Sequence, residues 1–425
     1  MASAHNLFAF LVVYPILKKQ IRVKYMPTKI NTRQNRQSNF ELLRILAMLA
    51  IICFHFIDHA ARYQLAVSPI TNLLADVSFS KKLLLYQTVN TFGNTGNALF
   101  ILITGYFLIN STTINLTKQI MKIFTQLFFG ICFMVLVVFA FYFFHNKFDS
   151  FDIVSKLSGM FSINQSDGIY GAITFLNINS SSWFLGYYVG IVMLAKFVLN
   201  KWLTKATGRQ FLMLIVCTAS LISFNFFINL FNGITGSDHI LRMITGVFFY
   251  MVGGYIRIYD PMKNIKSIAI IAVIAITYIF LFFSFYNNTM SNITKFKNEI
   301  NTSFSQSLLD VGNASIFVVV IAIAVFELFK RINIGNIKII NFISSAVLMI
   351  YIVHVNEFMY SFYRLVNWTS LLYSSPIKAL FVILIFGCIV FIFGFVVYLL
   401  YMLTSKIISK IATKRRAVPA DSPGQ

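Results

Sequence analysis

The sequence predicts an all-α fold: a polytopic helical membrane protein with about ten transmembrane helices. Three observations carry this reading. Hydrophobic residues fill 58% of the 425 positions and charged residues only 11%, whereas soluble domains carry about 25% charged residues. Long apolar runs alternate with short polar stretches, and about 20 apolar residues span a bilayer. Strand-like alternation of period two is absent, so the spans read as helices and not as a barrel.

In order, the expected spans are 40–58, 84–109, 120–144, 183–200, 211–231, 240–256, 267–287, 311–329, 340–362 and 378–403. The fourth opens on a half-polar stretch, Ser180 to Tyr188. This division gives three regions. Residues 1–39 form a basic tail, 40–403 a membrane domain of about ten helices, and 404–425 a polar, Pro-containing tail expected to be disordered. Within the first tail, Leu7 to Leu17 is too short to span and is followed by Lys18, Lys19, Arg22 and Lys24. It reads as an interfacial helix, or else translation starts at Met26. It does not read as a cleaved signal, because its charges follow the apolar run.

The net charge of +22 invites a nucleic-acid reading, which its distribution argues against. Ten spans put both termini on one side, and 24 of the 35 Lys and Arg residues fall there, against 8 opposite. Arg44, Arg242 and Lys378 lie at or inside span ends. Such a bias places both termini in the cytoplasm of a plasma-membrane protein. The basic charge is then mostly a topology signal, with some attraction to anionic membrane lipid. Cys53, Cys132, Cys217 and Cys388 all lie in apolar spans without a CxxC pair, so neither a disulfide nor a metal site is expected. The longer outer loops, near 145–182 and 287–310, are rich in Ser, Asn and Thr. They suit a sugar acceptor or plain solvation.

The chemistry concentrates in the first span, NFELLRILAMLAIICFHFIDHA, which holds Glu41, Arg44, His55, Asp58 and His59. Ionisable groups inside a span are costly and point to function. At about 100° per residue, Arg44 and His55 lie about 20° from full register, roughly 16 Å apart along the axis. Asp58, His59 and Glu41 fall within the same stripe of about 100°. That stripe must face protein or water. Arg44 offers a fork of donors to an anionic group. His55 can exchange a proton near neutral pH, and Asp58, one turn on, would orient it or raise its basicity. The plainer alternatives are an i, i+3 interfacial pair for Glu41 and Arg44, and outer-rim positions for Asp58 and His59.

An Arg, ten residues and a His in the first span resembles the signature of the acyltransferase 3 family of integral membrane O-acyltransferases. Three further segments are similar to family motifs and occur in family order. GNTGNALFILITGYFL (Gly93 to Leu108) resembles the second-span segment. SSSWFLGYYVGIVMLAKFVLN (Ser180 to Asn200) resembles the Trp-Phe opening of the fourth. FISSAVLMIYIVHVN (Phe342 to Asn356) resembles the late Ser-rich, Tyr, then His motif. Together these cover about 38–403.

The resemblance implies transfer of an acyl group, most often acetyl, from cytoplasmic acyl-coenzyme A to a hydroxyl of an envelope or exported polysaccharide sugar. No permanently bound cofactor is implied; acetyl-coenzyme A is a cosubstrate. Arg44 and His55 are then the catalytic pair, supported by Asp58, and Arg44 docks a coenzyme A phosphate, with Arg242 as a second candidate. Tyr351, His354, Asn356 and Arg364 are expected to bind the acceptor or support the site. Trp183 would stack a sugar ring or anchor the interface, and Glu41 and His59 complete the expected substrate contacts. Many family members carry a fused extracytoplasmic esterase-like domain, and this chain ends after its tenth span. It is expected to act alone or as a homo-oligomer, or to pass its acyl group to a separate extracytoplasmic transferase. The acceptor is a saccharide, free or lipid-linked. The rival readings are a transporter or flippase of lipid-linked saccharide and a membrane scaffold. The near absence of Pro from the spans and the lack of an internal repeat disfavour the transporter.

Overall fold

The computed structural model describes residues 36–67, 77–111, 114–144, 183–223, 237–298 and 315–416. Every regular element among these residues is a helix. In chain order they are α1 (Ser38–Phe56), a π turn (Ile57–Ala61), α2 (Arg62–Val67), α3 (Val77–Leu108) and α4 (Leu116–Phe144). Then come α5 (Trp183–Leu194), a second π turn (Ala195–Leu199), α6 (Asn200–Leu203), α7 (Gly208–Ser223), α8 (Ser237–Tyr259) and α9 (Ser267–Asn298). The last group is α10 (Ile316–Arg331), α11 (Lys338–Ser345), α12 (Val347–His354), α13 (Glu357–Tyr363), α14 (Trp368–Ser374) and α15 (Pro376–Arg416).

The chain is a multi-pass membrane protein, but the expected count of about ten spans is not confirmed. By length and composition six helices among the described residues can cross a membrane: Ser38–Leu65, Leu116–Phe144, Trp183–Leu203, Ile240–Tyr259, Ser267–Met290 and Pro376–Ile411. A pair bent by 82°, Lys338–His354 with Phe358–Ser374, makes seven if it is one span. The other three expected spans are helical too. The described parts of α7 and α10 have 16 residues each, short of a full crossing. Helix α3 is long enough at 32 residues, but its middle is polar. Large apolar side chains are exposed in rows along α4, α9 and α15, among them Phe128, Phe144, Phe283, Phe381 and Ile385. Soluble proteins rarely expose such surfaces; here they suit acyl chains.

The polarity of α3 has a structural cause. This helix is the hub of the bundle, packed against α1, α8, α9 and α10. Gln87, Asn90, Thr91, Thr95 and Thr104 are all buried. The threonine hydroxyls donate to carbonyls of their own helix, as Thr95 to Thr91 (2.9 Å) and Thr104 to Phe100 (2.7 Å). Gln87 donates to Thr289 of α9 at 3.1 Å. Hydropathy counts these groups as water-seeking, whereas the fold satisfies the threonine hydroxyls and the Gln87 amide nitrogen inside protein.

Two tail boundaries shift. Helix α1 begins at Ser38, inside the expected tail, and is pinned there: the Ile337 amide donates to Ser38 Oγ at 2.7 Å and Asn39 donates to the Phe329 carbonyl at 2.8 Å. At the other end, 404–416 is helical and not a disordered tail. At about 1.5 Å per residue the 41 residues of α15 extend about 60 Å, well beyond a bilayer. Its last turns carry Lys406 and Lys410, cations that suit a helix C-terminus. Residues 1–35 and 417–425, and most of both long outer loops, lie outside the described residues. All four cysteines are free; Cys53 is buried, while Cys132, Cys217 and Cys388 lie on exposed helix faces.

Where α10 ends, Glu327 is fully buried and pairs with Lys330 (2.8 Å) and Arg331 (2.9 Å). Arg331 also donates to the Met262 carbonyl at 2.6 Å, and Lys330 pairs with Asp260. The carboxylate thus fastens the α8–α9 connection to α10. Removing it leaves the largely buried Arg331 without a counter-charge, while Lys330 keeps Asp260, so Glu327→Ala should cost about 3 kcal/mol, the low end for breaking a buried pair. Thermal unfolding in detergent checks this. An unchanged midpoint would mean the pairs contribute nothing.

Candidate active site

One segment runs alongside α1 and touches Glu41, His55 and His59 of its charged stripe. Both chains ascend together. Ser38 donates to Asn341 Oδ1 (3.0 Å), Ser344 to Glu41 Oε2 (2.5 Å), and Gln64 Oε1 accepts from the Trp368 amide (2.8 Å). Between them, His55 meets His354. The late motif therefore lies parallel to the first span and braces it from Ser38 to Gln64.

At the lower end of the stripe, Arg44 Nη1 donates to Glu41 Oε1 at 2.8 Å. The second oxygen of Glu41 takes the Ser344 hydroxyl, so the carboxylate is held on both sides. Arg44 keeps 30% of its side chain accessible, leaving donors available for an anion. Two further cations gather here. Arg36 donates to the Asn341 carbonyl at 3.1 Å. Lys122, near the start of α4, is close enough to feel the charges of Arg36, Arg44 and Glu41. Tyr188 of α5 hydrogen-bonds Thr104 and also lies within range of Arg44. Three cations against one carboxylate make a net positive nook, suited to phosphate.

At the upper end, His55 Nδ1 lies 3.0 Å from His354 Nε2, and the rings stack at 5.0 Å between centroids. His354 is fully buried, whereas His55 is only half-buried. Beyond His354 the helix breaks. The orphaned His354 carbonyl accepts from the Tyr363 hydroxyl at 3.0 Å, as buried polar groups require.

The π turn displaces the residues that follow His55. Asp58 accepts from Arg62 Nη1 at 2.6 Å and stands 3.6 Å from His59 Nε2. The carboxylate expected to orient His55 therefore pairs with Arg62 and His59, and the side chain hydrogen-bonded to His55 is a histidine 299 positions away. His59 stacks on Tyr360 with centroids 3.7 Å apart, and its ring centre lies 5.2 Å from that of His55. Arg364 donates to the His59 carbonyl (3.0 Å) and lies over Tyr63, which stiffens the widened turn. π turns of this kind occur often at functional sites.

The remaining expected residues divide in two. Asn356 is buried, accepts from the Met359 amide (2.9 Å) and donates to the Val353 carbonyl (2.6 Å). Its amide oxygen caps the start of α13 and its amide nitrogen satisfies a carbonyl in the last turn of α12. Tyr351 is buried between Phe184 (5.4 Å) and His354 (5.7 Å). Trp183 and Arg242 meet each other, the guanidinium 4.9 Å from the ring centre, and line a small cavity with Asn94, Asn97, Tyr187 and Thr245. Phe184 packs on Trp183 and Tyr187 and on Tyr351, so a short path of rings joins this cavity to the histidine pair. The reading from sequence missed Arg36, Lys122, Ser344, Asn94 and Asn97. The Ser-rich motif held the signal for Ser344. Arg36 and Lys122 were visible only as topology charges.

The family model of the acyltransferase domain, acyltransferase 3, matches residues 37–402. No curated protein and no solved structure matches.

Proposed function

The chain belongs to the acyltransferase 3 family, and from that premise we propose that it moves an acyl group, acetyl above all, from cytoplasmic acyl-coenzyme A to a hydroxyl of an envelope or exported polysaccharide sugar. One observation supports this most. A partly accessible imidazole backed by a buried one stands on the same helix as an anchored arginine, about 16 Å away by helix rise. An extended phosphopantetheine arm covers such a span. Phosphates docked at Arg44, with Arg36 and Lys122 beside it, would put the thioester near His55.

In this reading His55 takes the proton of the acceptor hydroxyl as its oxygen attacks the thioester carbonyl. The carbon–oxygen bond forms, the carbon–sulfur bond breaks, and the proton passes from His55 to the departing thiolate. The cavity of Trp183, Tyr187, Asn94, Asn97 and Arg242 has the chemistry of a saccharide subsite. Amides serve the hydroxyls, and a cation serves an acidic sugar or lipid-linked phosphate. One face of Trp183 already carries Arg242, so an acceptor ring must use the other or displace the guanidinium. Asp58 and His59 flank the base. The plasma membrane, with both termini cytoplasmic, completes the proposal.

The test supplies radiolabelled acetyl-coenzyme A to the protein in nanodiscs with envelope glycan acceptors. Wild type should transfer label. Arg44→Ala should weaken donor affinity by about 10- to 100-fold, the loss of one or two charge-assisted hydrogen bonds. If wild type neither binds nor consumes the thioester with a full acceptor set, the proposal is wrong, and transport of lipid-linked saccharide takes its place.

A further inference from the structure

We propose that His354 is a positioning residue that fixes the tautomer of His55, leaving the Nε2 of His55 as the lone-pair nitrogen that receives the hydroxyl proton. This rests on the reading above, in which His55 is the base. The geometry works inward from a carbonyl. His354 Nδ1 lies 2.9 Å from the Ile350 carbonyl oxygen. A carbonyl can only accept, so Nδ1 of His354 carries the hydrogen. His354 is fully buried, and its contacts are backbone carbonyls, a second imidazole and aromatic rings. Without a carboxylate against it, a buried imidazolium would be costly, so the ring is neutral and its Nε2 is an acceptor. His55 Nδ1, 3.0 Å away, must then donate, and its Nε2 is left without a hydrogen. His55 makes no other hydrogen bond among the described residues and is the more accessible ring of the pair.

The arrangement does with two imidazoles and a carbonyl what a carboxylate does for histidine in a hydrolase triad: it selects the tautomer and orients the ring. A carboxylate in that place would stabilise an imidazolium more strongly. The neutral partner suits a reaction that returns the proton to a thiolate, a far better leaving group than an amine.

Two variants and one spectrum test it. His354→Gln retains a side-chain acceptor for His55 Nδ1–H; His354→Leu removes it at similar size. His354→Leu should lower kcat by about 100-fold or more, within the range for a disabled general base, with the KM for donor nearly unchanged. His354→Gln should stay within about tenfold of wild type, as a retained hydrogen bond predicts. A merely structural role would instead depress both variants together through folded yield. Nitrogen-15 shifts of histidine-labelled wild type should show His55 protonated on Nδ1. A folded His354→Leu with wild-type kcat, or His55 protonated on Nε2 in wild type, overturns the assignment. The spectrum decides even where His354→Leu does not fold. It also decides where the protein transfers no acyl group, so failure of the proposed function and failure of this inference remain distinct.

Discussion

His55→Gln should reduce acyl transfer by about three orders of magnitude, the middle of the range for a positioned general base, while acyl-coenzyme A still binds. Glutamine matches much of the ring's volume and can hydrogen-bond to His354, so the packing of α1 on α12 survives. What it lacks is a nitrogen that can take a proton near neutral pH. A hydroxyl is a poor nucleophile at its own pKa, and the residual rate would come from positioning alone. Donor affinity should change little, because the Arg44 nook lies about 16 Å along the helix from His55. The measurement is kcat beside a donor Kd on the same preparation. A kcat within tenfold of wild type would remove His55 from the chemistry. Loss of donor binding and rate together would mean that His55 holds the thioester and does not act on the hydroxyl.

That the stripe of α1 could be read from sequence at all reflects the economy of membrane interiors. Charges there are rare, and a helix lays its residues at known angles. Arg44, Glu41 and His55 therefore stood out. The partner of His55 could be placed only in part, because a contact between positions 55 and 354 is fixed by tertiary packing that no local period reports. Asp58 was assigned to His55 on ideal helical angles, and the π turn at Ile57–Ala61 breaks those angles. No residue pattern announces such a turn. Asn356 looked like a ligand because it is polar at a span end, yet polar residues at helix starts are caps first. The helical character of the chain was legible throughout. The count of spans was not, because α3 buries amides and hydroxyls against four neighbours, and hydropathy cannot tell lipid from satisfied protein.

That hub also sets the largest expected loss of stability. Helices α3 and α8 cross at two glycines that face each other's backbone. A Cβ built on Gly105 would lie 2.1 Å from the Tyr250 carbonyl oxygen, and one on Gly253 would lie 2.2 Å from the Leu102 carbonyl oxygen. Neither obstacle is a side chain that can rotate away. In membranes, where apolar burial gives helices little reason to associate, small residues let backbones approach and dispersion do the work. Gly253→Leu should therefore force the two helices apart and yield little monodisperse protein. Gly253→Ala should already cost about 3 kcal/mol, the upper end for overpacking a tight interior. The damage would reach the site. Helix α8 carries Arg242, Thr245 and Phe249 into the cavity, and Arg257 of α8 donates to Tyr106 of α3 at 3.1 Å. Gly186→Ala is the control, since nothing stands within 4 Å of its Cβ position. It should leave the unfolding midpoint where it was. If Gly253→Ala also unfolds with wild type, α3 and α8 do not meet at these glycines, and the cavity between them is shaped otherwise.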